Sequence, residues 1–485
     1  MTIALLPAFG ISWLLGYLTV RFFLIPQEPR WADLLLRISL GAGVGIGISG
    51  SLYFLIWLVR PSTTALVVAE LAAAVGLWAA ARRSRRSPAA LRPAGTTAAA
   101  QRGFAGTWVL VAAVLLGLAL AASAFVDASR AKPHGEWDAW AIWNLRAKFL
   151  VEHDASWKGA FSPLLIRTHS DYPLLTSAYV ARCWNYMGAT VSTLAPIGLA
   201  GLFALCTFGL VVSALAVLRG PASGLLGALL LLGSPVFLWQ SAWQYADIPV
   251  GFFFLSALVV LLLAGALPEH EPKLLALAGI AASFAAWTKN EGLLFLPAVA
   301  CCFGAIALRF SIRRIGYFLA GAAPVLLVTL YFKLALAPAI DPLLAQGAAS
   351  AGHKLAQFSR YSRIVSAFGT ELVSFGPGIA NPLVTLVVLA LCLKPRFGGR
   401  LRGWLVSAGL TLAVVFMGYF FVYVMTPSDL AWHLSSSLNR LLVQLWPSFV
   451  FFCLAALHSP EETAIMERTK SEAPREKQRK KAARG

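Results

Sequence analysis

Apolar runs long enough to cross a bilayer recur along nearly the whole chain, and no other feature restricts the fold as strongly. They cover residues 3–25, 34–59, 62–81, 106–126, 191–217, 223–242, 249–267, 274–289, 292–310, 315–336, 379–393, 403–424 and 438–457. Most approach the ~20 residues a helix needs to traverse hydrocarbon. Lipid offers a backbone no partner outside its own segment, so these runs must be helical. Composition agrees: 59% of the 485 residues are hydrophobic and 13% are charged, against about 25% charged in a soluble domain. The expected fold is all-α, a polytopic membrane protein with about 13 transmembrane helices. The first run lacks a basic leader and a small-residue cleavage site, so it reads as a retained span.

The net charge of +19 suggests nucleic acid, but its distribution argues otherwise. Arg82, Arg83, Arg85, Arg86, Arg92 and Arg102 share one loop without an acid, and the chain ends "KQRKKAARG". Basic loops beside spans mark the cytoplasmic side and can touch anionic lipid. No nucleic-acid-reading motif accompanies them, so nucleic acid is not an expected partner. Five of the six cysteines sit in apolar runs and none forms a CxxC pair, which supports neither a disulfide framework nor a metal site. No His, Asp or Glu cluster has ligand spacing, so no metal and no cofactor is expected.

Placing the Arg82–Arg102 loop in the cytoplasm puts the other short basic loops and the tail there too. The same alternation puts residues 127–190, 243–249, 287–292, 337–378 and 426–440 outside. Four regions follow: an N-terminal three-span extension with its basic linker (1–105), a seven-span core (106–336) including the outer loop 127–190, a C-terminal outer loop with three spans (337–458), and a basic cytoplasmic tail (459–485). Residues 86–105 read as a flexible linker.

The outer segments hold the polar residues. "GEWDAWAIWNLRAKFL" at 135–150 gathers Glu136, Trp137, Asp138, Trp140, Trp143, Arg146 and Lys148. With no Pro or Gly from Glu136 to Lys158, it reads as an amphipathic helix lying in the interface, with Trp137, Trp140 and Asn144 on one face. "RTHSDYPLL" carries His169 and Asp171, and "WQYADIP" puts Asp247 at the start of a span. "WTKNEG" sets Lys289 and Glu291 between two spans, and "TPSDLAWHLSSSLNR" brings His433 and Arg440 to the mouth of the last. One ionisable residue at a span end is merely solvated, but a set on one face points to a site.

This arrangement resembles the GT-C superfamily of membrane glycosyltransferases, most closely the protein O-mannosyltransferase and aminoarabinose-transferase branch. The likeness covers about 106–336. Asp138 matches an acidic residue near the start of the first outer loop, Asp247 a second acid in the next outer turn, and Thr288-Lys289 a later Thr-Lys pair. Two departures stand out. Glu136-Trp137-Asp138 replaces an adjacent Asp-Glu pair, and three spans precede the matched core. The resemblance implies a GT-C-like fold with interfacial helices in the first outer loop. It also implies transfer of a sugar from a polyprenyl-phosphate carrier on the extracytoplasmic side, without a metal. Asp138 is then the general base, with Glu136 as its rival, and Asp247 a second catalytic carboxylate. The indoles beside Asp138 would exclude water and raise its basicity. Lys289, His433 and Arg440 would hold the lipid phosphate. Glu136, Trp137, Arg146, His169, Asp171 and Glu291 complete the candidate substrate-binding set. The partners are the lipid-linked donor, membrane lipids, and an acceptor that could be protein, glycan or lipid. The implied location is a bacterial inner membrane. Competing readings are a transporter or lipid-linked glycan flippase, which would show paired repeats with broken spans, and a glycan polymerase or ligase working through the His433–Arg440 region.

Overall fold

The computed structural model describes residues 2–24, 29–83, 106–307, 311–338, 348–376, 381–396, 398–467, 469 and 472. Every regular element among these is helical; Pro395 and Leu457 make one isolated bridge. The linker 86–105, Arg92 and Arg102, the basic end of the tail and part of the segment 337–378 lie outside the described residues.

Three helices open the chain: α1 (Leu5–Phe23), α2 (Arg30–Val59) and α3 (Thr63–Arg83). After α4 (Thr107–Ala131), the short α5 (Asn144–Leu150) and α6 (Leu175–Tyr186) lie in the segment 127–190. Then come α7 (Leu194–Leu218), α8 (Pro221–Leu232), α9 (Pro235–Ala242), α10 (Asp247–Ala266), α11 (Glu271–Thr288), α12 (Asn290–Ala307) and α13 (Ile312–Tyr331). The series ends with α14 (Ala348–Ala356), α15 (Phe358–Ser374), α16 (Pro382–Leu393), α17 (Arg402–Met425) and α18 (Leu430–Ala455).

Among the described residues nine helices are long and apolar enough to cross a membrane, ten if α8 and α9 form one broken span. The protein is thus an all-α, multi-pass membrane protein. All thirteen expected runs are largely helical where described, but α12 and α16 are short and α11 opens on the polar Glu271-Pro272-Lys273. The 73° bend between α8 and α9 has a local cause. Pro235 opens α9, and the Ser234 hydroxyl accepts the Phe237 N–H as an N-cap, so a new helix starts where the old one would continue.

Two helices with long apolar windows take opposite places. α10 is 100% buried across its apolar window, while that of α4 is 6% buried and leaves Trp108, Leu115 and Leu120 open. A helix that is apolar all round belongs either in the centre of a bundle or against lipid, and this fold uses both. The glycine run "GAGVGIGISG" lies in α2 and permits a close approach to α1: a Cβ on Gly45 would stand 1.8 Å from the Ser12 carbonyl oxygen. Small residues let membrane helices meet backbone to backbone.

The first three helices are tied to the segment 127–190. Arg182 of α6 makes two hydrogen bonds to Glu70 of α3, at 2.7 and 2.9 Å, and one to the Ala8 carbonyl at 2.9 Å. Tyr53 and Trp57 of α2 donate to the carbonyls of Leu150 and Glu152. One apolar cluster runs from α1 to α18.

Candidate active site

At one end of the bundle α10 begins, α11 ends and α12 begins. Asp247 stands in the first turn of α10, and its side chain is fully buried. An isolated carboxylate there would be prohibitively costly, so its partners define the site. Oδ1 accepts from Lys289 Nζ at 2.8 Å and Gln444 Nε2 at 2.6 Å; Oδ2 accepts from Arg440 Nε at 3.2 Å and Nη2 at 3.1 Å. Gln444 lies one turn beyond Arg440 on α18. Gly251, one turn into α10, allows that approach: a Cβ there would lie 2.7 Å from the Gln444 carbonyl oxygen.

The cluster extends both ways. Lys289 Nζ also pairs with Glu291 Oε1 at 2.8 Å, and Gln444 Nε2 reaches the same oxygen at 3.4 Å. Gln444 Oε1 accepts the Tyr419 hydroxyl of α17 at 2.6 Å. On the other side Arg440 Nη2 donates to Asp138 Oδ2 at 2.5 Å, joining residues 302 positions apart. The Asp138 backbone N–H donates to the Tyr245 hydroxyl at 3.2 Å, and Arg440 lies over the Tyr245 ring, 4.6 Å from its centroid. Burial pushes the Tyr245 hydroxyl up to about 12, so it stays protonated at neutral pH.

Three carboxylates (Asp138, Asp247, Glu291) therefore face two cations (Lys289, Arg440). Glu291 Oε2 is buried without a partner, and among the described residues neither Asp138 Oδ1 nor Arg440 Nη1 makes a hydrogen bond. The Asp138 and Arg440 side chains are each 14% exposed, so both can be reached from outside. The free valences are an acceptor on Asp138, an acceptor on Glu291 and a donor on Arg440.

The other candidates fall around this centre. Arg146 is fully buried behind it and donates to the carbonyls of Tyr172 at 2.5 Å and Pro173 at 3.1 Å. Burial pushes its guanidinium down to about 10. It clamps the turn that carries His169, Asp171 and Tyr172. His169 takes φ +50 and stacks on Tyr172, which stacks in turn on Trp143. A non-glycine residue in that backbone region is strained. Asp171 accepts from Asn290 at 3.0 Å and pairs with Lys333 at 3.5 Å. His433 Nδ1 is engaged with the Thr426 hydroxyl at 2.8 Å and the ring packs edge-on to Tyr423; among the described residues it makes no hydrogen bond to the carboxylate cluster.

The opening tryptophans correct the expectation from sequence. Trp137 and Trp140 point outward, 53% and 52% exposed, as an edge-on pair, and Glu136 pairs with Lys132. They do not enclose Asp138; Tyr245 and Arg440 do. The reason lies in the backbone. Residues Ala139–Trp143 form a π-helical turn, which inserts a residue and shifts the register. Asn144, expected beside Trp137 and Trp140, turns inward to Gln244 at 3.2 Å instead.

Gln444, Tyr419, Tyr245 and Lys333 were not singled out from the sequence. Gln444 and Lys333 had a signal, as lone polar residues in apolar runs; the tyrosines had none. Among the described residues no group of three or more His, Cys, Asp or Glu is placed to hold a metal. Comparison with family models, curated proteins and solved structures finds no match to the chain.

Proposed function

We propose that the protein is a membrane glycosyltransferase of the GT-C type, moving a sugar from a polyprenyl-phosphate carrier to a hydroxyl acceptor at the extracytoplasmic face of a bacterial inner membrane. One observation carries the reading: Asp138, Asp247, Lys289 and Arg440 converge in one bonded cluster at a bundle end. Three of these are the positions on which the family resemblance rests.

In the proposed reaction the acceptor oxygen bonds to the sugar C1 as the bond from C1 to the phosphate oxygen breaks. That electron pair leaves with the lipid phosphate, and the acceptor proton passes to Asp138. Its Oδ1 is the open acceptor atom, within reach of solvent. Asp247 has both oxygens committed to buried donors, so it positions Arg440 and Lys289 rather than taking the proton. The excess of carboxylate over cation suits the positive character that develops at C1. Arg440 Nη1 is the donor left for the phosphate. His433, whose Nδ1 is held by Thr426, is left with Nε2 for that role.

The test is transfer from a radiolabelled polyprenyl-phosphate sugar. Asp138→Asn that folds, by size exclusion, yet transfers normally would sink the mechanism. Orientation is tested by placing a cysteine at His153, an exposed position of the same loop, and labelling intact cells with an impermeant thiol reagent. Labelling only after lysis would reverse the assigned side.

A further inference from the structure

The Asp138 carboxylate and the Arg440 guanidinium are bonded to each other through Oδ2 and Nη2, which leaves each a single open atom for the role the reading above gives it and holds the base against the group that must take the phosphate. That conflict defines a sequence of events. Asp247 does not depend on Arg440, because Lys289 and Gln444 also hold it in a fully buried setting. Asp138 has no such reserve. Arg440 is the one donor to its carboxylate among the described residues, and the pair sits where both side chains are partly open. An anion arriving at Arg440 therefore meets its weakest competitor in Asp138.

We infer that the Asp138–Arg440 bond is a latch that the phosphate of the lipid donor opens, freeing Asp138 to act as base only once the donor is bound. This rests on the glycosyltransferase reading and adds regulation to the same site. A planar fork can trade a carboxylate for a phosphate without losing its grip on Asp247 through Nε. Without donor, Asp138 stays held to Arg440 through Oδ2 and is not free to turn towards an acceptor hydroxyl. Donor binds before acceptor. The product, a phosphate monoester, carries more charge than the donor diester and holds the latch open until it leaves.

The consequence for binding runs against intuition. If Asp138 competes for Arg440, removing its charge makes phosphate binding tighter. A latch open a tenth of the time lowers apparent affinity about tenfold. The probe is farnesyl monophosphate titrated into the full chain in detergent, with size exclusion as the folding control. Asp138→Asn is expected to bind about tenfold tighter than the wild type. The same substitution in an Arg440→Lys background, which keeps a cation but loses the fork, is expected to change affinity less than about twofold. Arg440→Gln repeats the cycle should the lysine variant not fold. Equal tightening in both backgrounds would mean simple charge repulsion and overturn the latch. So would unchanged or weaker binding in Asp138→Asn. If the folded wild type binds no farnesyl monophosphate at all, the glycosyltransferase reading falls and the latch with it; binding without coupling removes the latch alone.

Discussion

Two of the charge clusters that the protein holds away from water are built on opposite plans. Glu70 and Arg182 have side chains 0% exposed, one acid to one base, with two parallel bonds; Tyr186 and the Ala8 carbonyl take up further valences. The cluster at Asp247 has three acids to two bases, side-chain exposures from 0 to 18%, an orphaned buried oxygen on Glu291 and open valences on Asp138 and Arg440. A closed pair fixes helices. An unbalanced, partly open one is incomplete by itself, and under the proposed function a ligand completes it.

The contrast can be broken most sharply at Asp138. Asp138→Asn is expected to lose transfer by about 10²–10⁴-fold with an unchanged melting temperature; an equal fall in melting temperature would make the cluster another structural lock. At Glu70 the pattern reverses. Glu70→Ala strands a buried guanidinium at a cost of about 3–5 kcal/mol, read as a lower unfolding midpoint in detergent, and the protein that remains folded should transfer normally. Gln444→Leu lies between them. It removes a neutral donor from Asp247 and Glu291, worth about 1.5–3 kcal/mol, and should lower the turnover rate more than donor affinity. A loss of stability without a change in rate would assign Gln444 to the scaffold. Glu136→Gln is expected to do least, because the Lys132 ammonium beside it is largely exposed and such pairs contribute about 0–1 kcal/mol. Loss of transfer in that variant exceeding the loss in Asp138→Asn would move the base to Glu136.

Much of this was legible in the chain. Apolar runs gave the helices, because lipid and a buried core both demand satisfied backbones. Asp247, Lys289, Glu291 and Arg440 stood out as ionisable residues at the ends of such runs, and Asp138 as an acid in the tryptophan-rich outer stretch 135–150. Which of them would meet was not legible: Asp138 and Arg440 are 302 residues apart, and no local pattern encodes that contact. Nor could the fate of Trp137 and Trp140 be read, since a helical wheel assumes a constant pitch and the π-turn at Ala139–Trp143 breaks it. Among the described residues, the thirteen apolar runs and the nine or ten helices long and apolar enough to span differ for a related reason. Hydropathy sees an apolar run at α11, α12 and α16 but not whether it is long enough to reach both surfaces.

The difference between α10 and α4 reaches beyond packing. Asp247 hangs from a helix that is enclosed along its length, whereas Asp138 follows, seven residues on, a helix exposed along nearly all of its apolar window. A bilayer thicker or thinner than a helix's hydrophobic length is accommodated by tilting that helix. α4 can respond in this way and α10 cannot. A tilt of α4 would therefore move the segment that carries Asp138 relative to Arg440 and Asp247, whereas the enclosed α10 would keep Asp247 in place.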